Sequence, residues 1–285
     1  MRRLSTVGEW RAYAQAVRDD GARVGLVPTM GALHDGHLSL VRRARDNADV
    51  VLLTSFVNPR QFSDAGDLAA YPHTPAADAA LAAEAGVDAF VSPSLSEMWP
   101  DYPAPTLTTV SVRELGDRLE GEGRPGHFDG VASVVAKLFA ITGPCRAYFG
   151  EKDYQQLVVV RQMVRDLAFD VDVVGCATRR DAQGLALSSR NARLSPEGLE
   201  RAHALGRALA AARTSTASAS ERRAVMTRVM SDAGVDVAYA DIVDVRSLRP
   251  LDDDARVVAR VVVAGVIEGV RLIDNDEIDL ATKGD

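Results

Sequence analysis

Two cysteines, three lysines and no long apolar run are what this 285-residue chain has least of. Cys145 and Cys176 lie far apart, so no disulfide framework is expected and a reducing compartment, the cytoplasm, is indicated. The five histidines (His34, His37, His73, His127 and His203) form no ligand-spaced cluster with the cysteines, which disfavours a zinc centre. Positive charge is also short: 33 basic residues face 40 acidic ones, for a net charge of -7. An extended nucleic-acid surface needs a basic face, so a nucleic-acid partner is not expected. The first residues, MRRLSTVGEWRAYAQAV, have arginines without a following apolar stretch. Neither a signal peptide nor a membrane span is expected.

The composition, 47% hydrophobic and 26% charged, is that of a globular protein, and the length suggests two domains. Apolar runs at 24–27, 50–57, 87–91, 107–112, 146–149 and 170–175 read as strands. Helical patterns at 37–47, 76–85, 129–142 and 154–168 lie among them. This alternation predicts an α/β fold over residues 1–178: a mostly parallel sheet with helices on both faces. Ligands of such sheets bind beyond the C-terminal strand ends. After about residue 178 the pattern changes. Ser195-Pro196-Glu197 opens a helix to about Arg213, Thr214–Ala219 reads as a flexible link, and Ser220 caps a helix to about Ala233. Strand-like segments follow at 235–245, 256–264 and 270–274, and a frayed tail is expected after Asp279. Residues 179–285 are therefore read as a smaller α+β domain, able to act as a lid.

Several segments carry chemistry. Val24–Val27 runs through Pro28-Thr29-Met30-Gly31 into His34-Asp35-Gly36-His37, where a helix should start. A helix start offers unpaired N–H groups and the positive dipole end to a phosphate. Two imidazoles three residues apart share a helix face and can donate to a triphosphate, which points to nucleotidyl transfer. Asn58-Pro59-Arg60-Gln61 follows a strand, and its amides can bind hydroxyls and a carboxylate or simply cap a turn. In the glycine-rich 119–130 segment, Arg124 and His127 can meet an anion. Gly150-Glu151-Lys152-Asp153 is again a turn into a helix. Only Lys137, Lys152 and Lys283 remain in a chain this rich in arginine, and Lys152 stands where a compact ammonium can reach phosphate. Leu187-Ser188-Ser189-Arg190 joins the two predicted domains and can close over a triphosphate.

In order and spacing, PTMGALHDGH, FVNPRQF, LEGEGRPGHFDGV, YFGEKDYQQL and GLALSSRN resemble the pantothenate synthetase family, within the nucleotidyltransferase superfamily. The resemblance runs from about Val27 to Asn191. It implies a Rossmann-like first domain and a smaller second one, and ATP-dependent condensation of pantoate with β-alanine through a pantoyl adenylate, with magnesium on the phosphates, in a homodimer. ATP is implied against Met30, Gly31, Ala32, Leu33, His34, Asp35, Gly36 and His37, against Gly150, Glu151, Lys152 and Asp153, and against Arg179 and Leu187 to Arg190. His37 takes the proton-donor role, with His34 beside it; Lys152, Ser188, Ser189 and Arg190 neutralise phosphate. Gln61 and Gln156 would hold pantoate, with Asn58, Arg124 and His127 near it. Where the family often has an acidic pair, this chain has Ala77-Asp78, which leaves Asp78 as the one candidate carboxylate for a metal. Two rival readings are another nucleotidyltransferase, acting on a phosphate acceptor, and a nucleotide-binding regulator without turnover.

Overall fold

The first strand pairs in parallel with a strand eighty-seven positions further on, Arg2 opposite Ala89, and so closes one edge of a six-stranded sheet. The computed structural model describes residues 1–281 and divides them into two compact units, Met1–Glu151 with Gln155–Ala177, and Lys152–Tyr154 with the chain from Thr178 onward. In chain order the elements of the first are β1 (Arg2–Leu4), α1 (Val7–Asp19), β2 (Val24–Thr29), α2 (Asp35–Arg45), β3 (Val50–Ser55), α3 (Ala65–Ala69) and α4 (Pro75–Glu84). Then come β4 (Ala89–Val91), α5 (Leu95–Met98), α6 (Glu120–Gly123), α7 (His127–Thr142), β5 (Cys145–Gly150), α8 (Tyr154–Asp166) and β6 (Val171–Cys176).

All its strand pairs are parallel, in the order β1-β4-β3-β2-β5-β6. The chain starts β2 near the middle, steps outward through β3 and β4, then returns to β5 on the other side of β2. The order therefore reverses between β2 and β5, and sheets of this kind bind ligands beyond the strand ends at such a reversal. Apolar side chains of Val27, Val41, Val51, Leu53 and Tyr148 fill the core beside it. The predicted Rossmann-like sheet is observed.

The strand expected at 107–112 does not form. Its alternation is strand-like, but β1 already occupies the edge beside β4, and Leu107 lies fully exposed. Val110 is instead tied to α7, its N–H donating to Ser133 Oγ at 2.9 Å.

The second unit holds α9 (Pro196–Thr214), α10 (Ala219–Asp232), β7 (Asp236–Asp244), β8 (Val258–Ile267) and β9 (Val270–Asp279). The three strands pair antiparallel in the order β7-β8-β9. Leu205, Leu209, Met226 and Met230 from the helices meet Val261 and Val263 in its core. Ser195 caps α9 as expected, with Gly198 N–H donating to its Oγ at 3.0 Å. The next cap falls two residues earlier than the sequence reading: Ser218, not Ser220, starts α10. The reason is a capping box with Glu221, which accepts from the Ser218 N–H at 2.9 Å, while Ser220 turns to Asp253. The supposed flexible link shrinks to the few residues between Thr214 and Ala219. β9 runs five residues past the expected strand, and Leu280 N–H still donates to Val257 O at 3.0 Å; the rest of the expected frayed tail, 282–285, lies outside the described residues.

Candidate active site

At the C-terminal end of β2 the chain turns through two residues with positive φ, Gly31 (φ 82°) and Ala32 (φ 50°). A Cβ at Gly31 would stand 2.9 Å from both Asp78 Oδ2 and Ser55 Oγ, so the turn needs glycine for space as well as for backbone angle. Asp78 holds this turn. Its carboxylate, buried on α4, accepts from the Ala32 N–H at 3.0 Å, the Leu33 N–H at 2.8 Å and the Thr74 hydroxyl at 3.0 Å. The carboxylate nominated as a metal ligand is thus a structural clamp. Asp78→Ala would leave two backbone donors unpaired and lower unfolding stability by about 2–4 kcal/mol. A denaturant midpoint unchanged from wild type would contradict the clamp.

The turn delivers the histidines to the start of α2. His34 is the cap itself, in extended backbone, rather than a residue of the helix face; His37 sits in the first turn. His34 Nδ1 accepts from the Gly36 N–H at 3.1 Å, and His37 Nδ1 accepts from the His34 N–H at 3.4 Å. The ring centroids lie 4.1 Å apart, with the planes tilted by 35°. Because each Nδ1 faces a backbone donor, each neutral ring carries its proton on Nε2. Two Nε2–H donors therefore accompany the positive helix end at the switch point of the sheet.

The Asn58–Gln61 turn follows β3. Asn58 is buried and saturated. Its Nδ2 donates to Gln61 Oε1 and to Gly130 O, both at 3.1 Å, and its Oδ1 accepts from the Trp99 indole at 3.0 Å and the Arg60 N–H at 3.3 Å. Two N–H groups and two lone pairs are all an amide has, so the expected direct contact between Asn58 and pantoate is corrected. Gln61 directs its Nε2 to Met30 Sδ at 3.1 Å. Arg124 and His127 address the same residue from below: His127 Nδ1 donates to Gln61 O at 2.7 Å, and Arg124 Nη2 does so at 3.3 Å. They support the Gln61 backbone. α7 approaches this turn closely, since a Cβ at Gly130 would fall 2.1 Å from Arg60 O. On the first turn of α8, Gln155 is buried and binds the backbone of Glu120, Leu115 and Arg118, while its neighbour Gln156 is half-buried. A cavity of about 460 Å³ lies beside Met30 and Gly31, bordered by Ser55, His73, Ser92 and Tyr102.

A sequence model of the family described as pantoate-beta-alanine ligase matches residues 2–277. The chain belongs to that family. A pantothenate synthetase of Cereibacter sphaeroides is 50% identical to this ligase over 279 residues, covering 95% of this chain and 98% of the relative. The crystal structure of pantothenate synthetase from Thermus thermophilus superposes with a TM-score of 0.90 at 47% identity, covering 97% of this chain and 99% of that one. A pantoate-beta-alanine ligase from Francisella tularensis, complexed with beta-gamma ATP and β-alanine, gives a TM-score of 0.82 at 33% identity, covering 97% of each chain.

The ligase's motif around Lys152 divides between the units. Gly150 ends β5 and Glu151 follows it in the first; Lys152 and Asp153 belong to the second. Lys152 is mostly buried, with its Nζ 3.3 Å from Asp153 Oδ1. Its carbonyl accepts from Asn275 Nδ2 at 2.8 Å. The neighbouring Asp274 is buried and takes a two-pronged grip from Arg180, one bond measuring 3.0 Å. Burial pushes the Asp274 carboxyl up, with Arg180 pulling against it. Arg180 pairs with Ala186 across a small hairpin, where Leu187 N–H donates to Arg179 O at 2.9 Å. The hairpin leads into Ser188, which caps the 3₁₀ turn Ser189–Arg193 through the Arg190 N–H at 3.3 Å. The pair Asp274-Asn275 on β9 thus anchors both the Lys152 turn and the hairpin before Ser188. Sequence reasoning missed these two residues. No local signal marked them, because β9 also carries Arg271, Asp276, Glu277 and Asp279 and a further polar pair does not stand out.

Neither cysteine takes part. Burial pushes the Cys145 thiol up to about 12 and that of Cys176 up to about 11, so both stay protonated and inert.

Proposed function

We propose that this chain joins pantoate to β-alanine in two steps, through an enzyme-bound pantoyl adenylate. In the first, a pantoate carboxylate oxygen attacks the α-phosphorus of ATP, the bond to the β-phosphate oxygen breaks, and pyrophosphate leaves. In the second, the β-alanine amine attacks the acyl carbon, the acyl–oxygen bond breaks, AMP leaves, and the amine gives up a proton. The observation that carries this reading is the His34–His37 pair, its ring centroids 4.1 Å apart and each Nδ1 facing a backbone N–H, at the N-terminus of α2 beside the sheet's reversal. Donors fixed in advance where negative charge grows lower the barrier most. In this reading Lys152, Ser188, Ser189 and Arg190 neutralise phosphate, with Gly150 and Asp153 close to Lys152 in the chain. Proximity accounts for most of the acyl transfer.

Gln61 and Gln156 bind pantoate. Gln61→Ala is expected to raise the KM for pantoate about tenfold, the loss of one hydrogen bond to a charged group, and to leave ATP binding unchanged. A calorimetric titration in which ATP weakens instead would reassign this glutamine.

Magnesium comes with the nucleotide. Among the described residues no group of three or more His, Cys, Asp or Glu side chains could hold a metal, and the Asp78 oxygens are already occupied. A magnesium ion on the triphosphate would offset part of its charge.

Labelled pyrophosphate exchange into ATP tests the reaction order. Exchange should require pantoate and proceed without β-alanine, and hydroxylamine should trap the acyl group. Amide formation in a single turnover with no adenylate before it would overturn the two-step route. Exchange independent of pantoate would favour another nucleotidyltransferase. The inert thiols suit the reducing cytoplasm, and the family resemblance suggests a homodimer, which sedimentation can check.

A further inference from the structure

The direction of the Gln61 amide is not set by Gln61. It is set by a chain of hydrogen bonds that begins at an indole. The Trp99 Nε1–H can only donate, and Gly130 O can only accept. They meet opposite ends of the Asn58 amide, at 3.0 Å and 3.1 Å, and the Arg60 N–H joins the indole at the oxygen end. Asn58 therefore has one orientation. Its second N–H then requires an acceptor at Gln61, which turns Oε1 inward and Nε2 outward. Among the described residues the outward Nε2 meets a thioether, Met30 Sδ, a weak acceptor that an oxygen of a ligand readily replaces.

The indole is itself held firmly. The Arg60 guanidinium carbon lies 5.1 Å and Lys137 Nζ 4.8 Å from its ring centroid. Lys137 also donates to Met98 O, the residue before Trp99. Trp99 is 6% exposed and Asn58 1% exposed, so water cannot easily replace either partner. A buried polar chain of this kind keeps one arrangement because every alternative leaves a donor facing a donor.

We propose that Trp99 is a positioning residue for pantoate: acting through Asn58, its indole N–H fixes Gln61 with the amide NH₂ toward the substrate's oxygen atoms. The inference rests on the reading that Gln61 binds pantoate. It adds a residue forty-one positions from Asn58.

A double-mutant cycle on the intact protein tests it. Trp99→Phe keeps an aromatic ring of slightly smaller size and removes the N–H; it should raise the KM for pantoate about three- to tenfold, the worth of one buried hydrogen bond. kcat and ATP affinity should stay near wild type. In a Gln61→Ala background, Trp99→Phe should raise the KM no further, because the amide it orients is gone. If the two effects multiply, Trp99 acts by packing alone and the relay is wrong. An unchanged KM in Trp99→Phe overturns it equally. If Gln61→Ala by itself leaves the pantoate KM untouched, the assignment of Gln61 fails and the relay to pantoate with it. Should Trp99→Phe not fold, Asn58→Asp serves in its place. That change removes the donor facing Gln61 Oε1, so the Gln61 amide must reverse, and the KM should rise at least about tenfold in wild type but not in Gln61→Ala.

Discussion

His37→Ala is expected to reduce pantoate-dependent pyrophosphate exchange by about two to four orders of magnitude, the range of a lost transition-state donor or proton-transfer group. The expectation follows from the fixed tautomer: the His34 N–H occupies Nδ1 and leaves the proton on Nε2. His34→Ala should lose a similar factor, but with an added cost to stability. His34 is the cap of α2, and cap removal costs about 1 kcal/mol. His34→Asn separates the two roles, since asparagine caps well and donates from a different position. It should restore the melting temperature and not the exchange rate. Near-normal exchange in His37→Ala would remove the imidazole pair from the chemistry.

Lys152→Arg is expected to lower exchange at least about tenfold, a loss of roughly 1.4 kcal/mol, although charge is preserved. Lys152→Ala should lose about two to three orders of magnitude, as for other electrostatic donors. The ammonium works from a cramped place. Its side chain is mostly buried against Asp153, and its carbonyl is pinned by Asn275. A planar guanidinium is wider, and the backbone has no freedom to make room. Wild-type exchange in Lys152→Arg would mean that the scarcity of lysine in this chain carries no chemical message. The assay should be read beside a thermal melt, because Asn275 also binds Arg260 at 2.7 Å and a shifted turn would register there.

The paired histidines, the retained lysine and the strand–turn–helix rhythm were legible because each is a local property. Periodicity reports which side of an element is buried, and turn residues report where it ends. The same locality explains the errors. The run at 107–112 has the alternation of a strand, yet a strand needs a free edge, and which edge is free depends on β1, a hundred residues away. Ser218 and Ser220 are equal as caps until Glu221 is counted.

By itself the sequence determined the class of fold, the paired histidines at a helix start and the family. Only the tertiary structure decided what each polar side chain does. Asn58, Arg124, His127 and Asp78 all resemble ligand-binding groups in one dimension; in three, Asn58 and Asp78 spend their hydrogen bonds on the protein, and Arg124 and His127 hold the Gln61 backbone. Trp99, Asp274 and Asn275 carry no motif and yet aim or anchor the groups that do. The physical reason is that a hydrogen-bonding group has few valences. Whether they face the substrate or the fold is settled by neighbours that are distant in sequence.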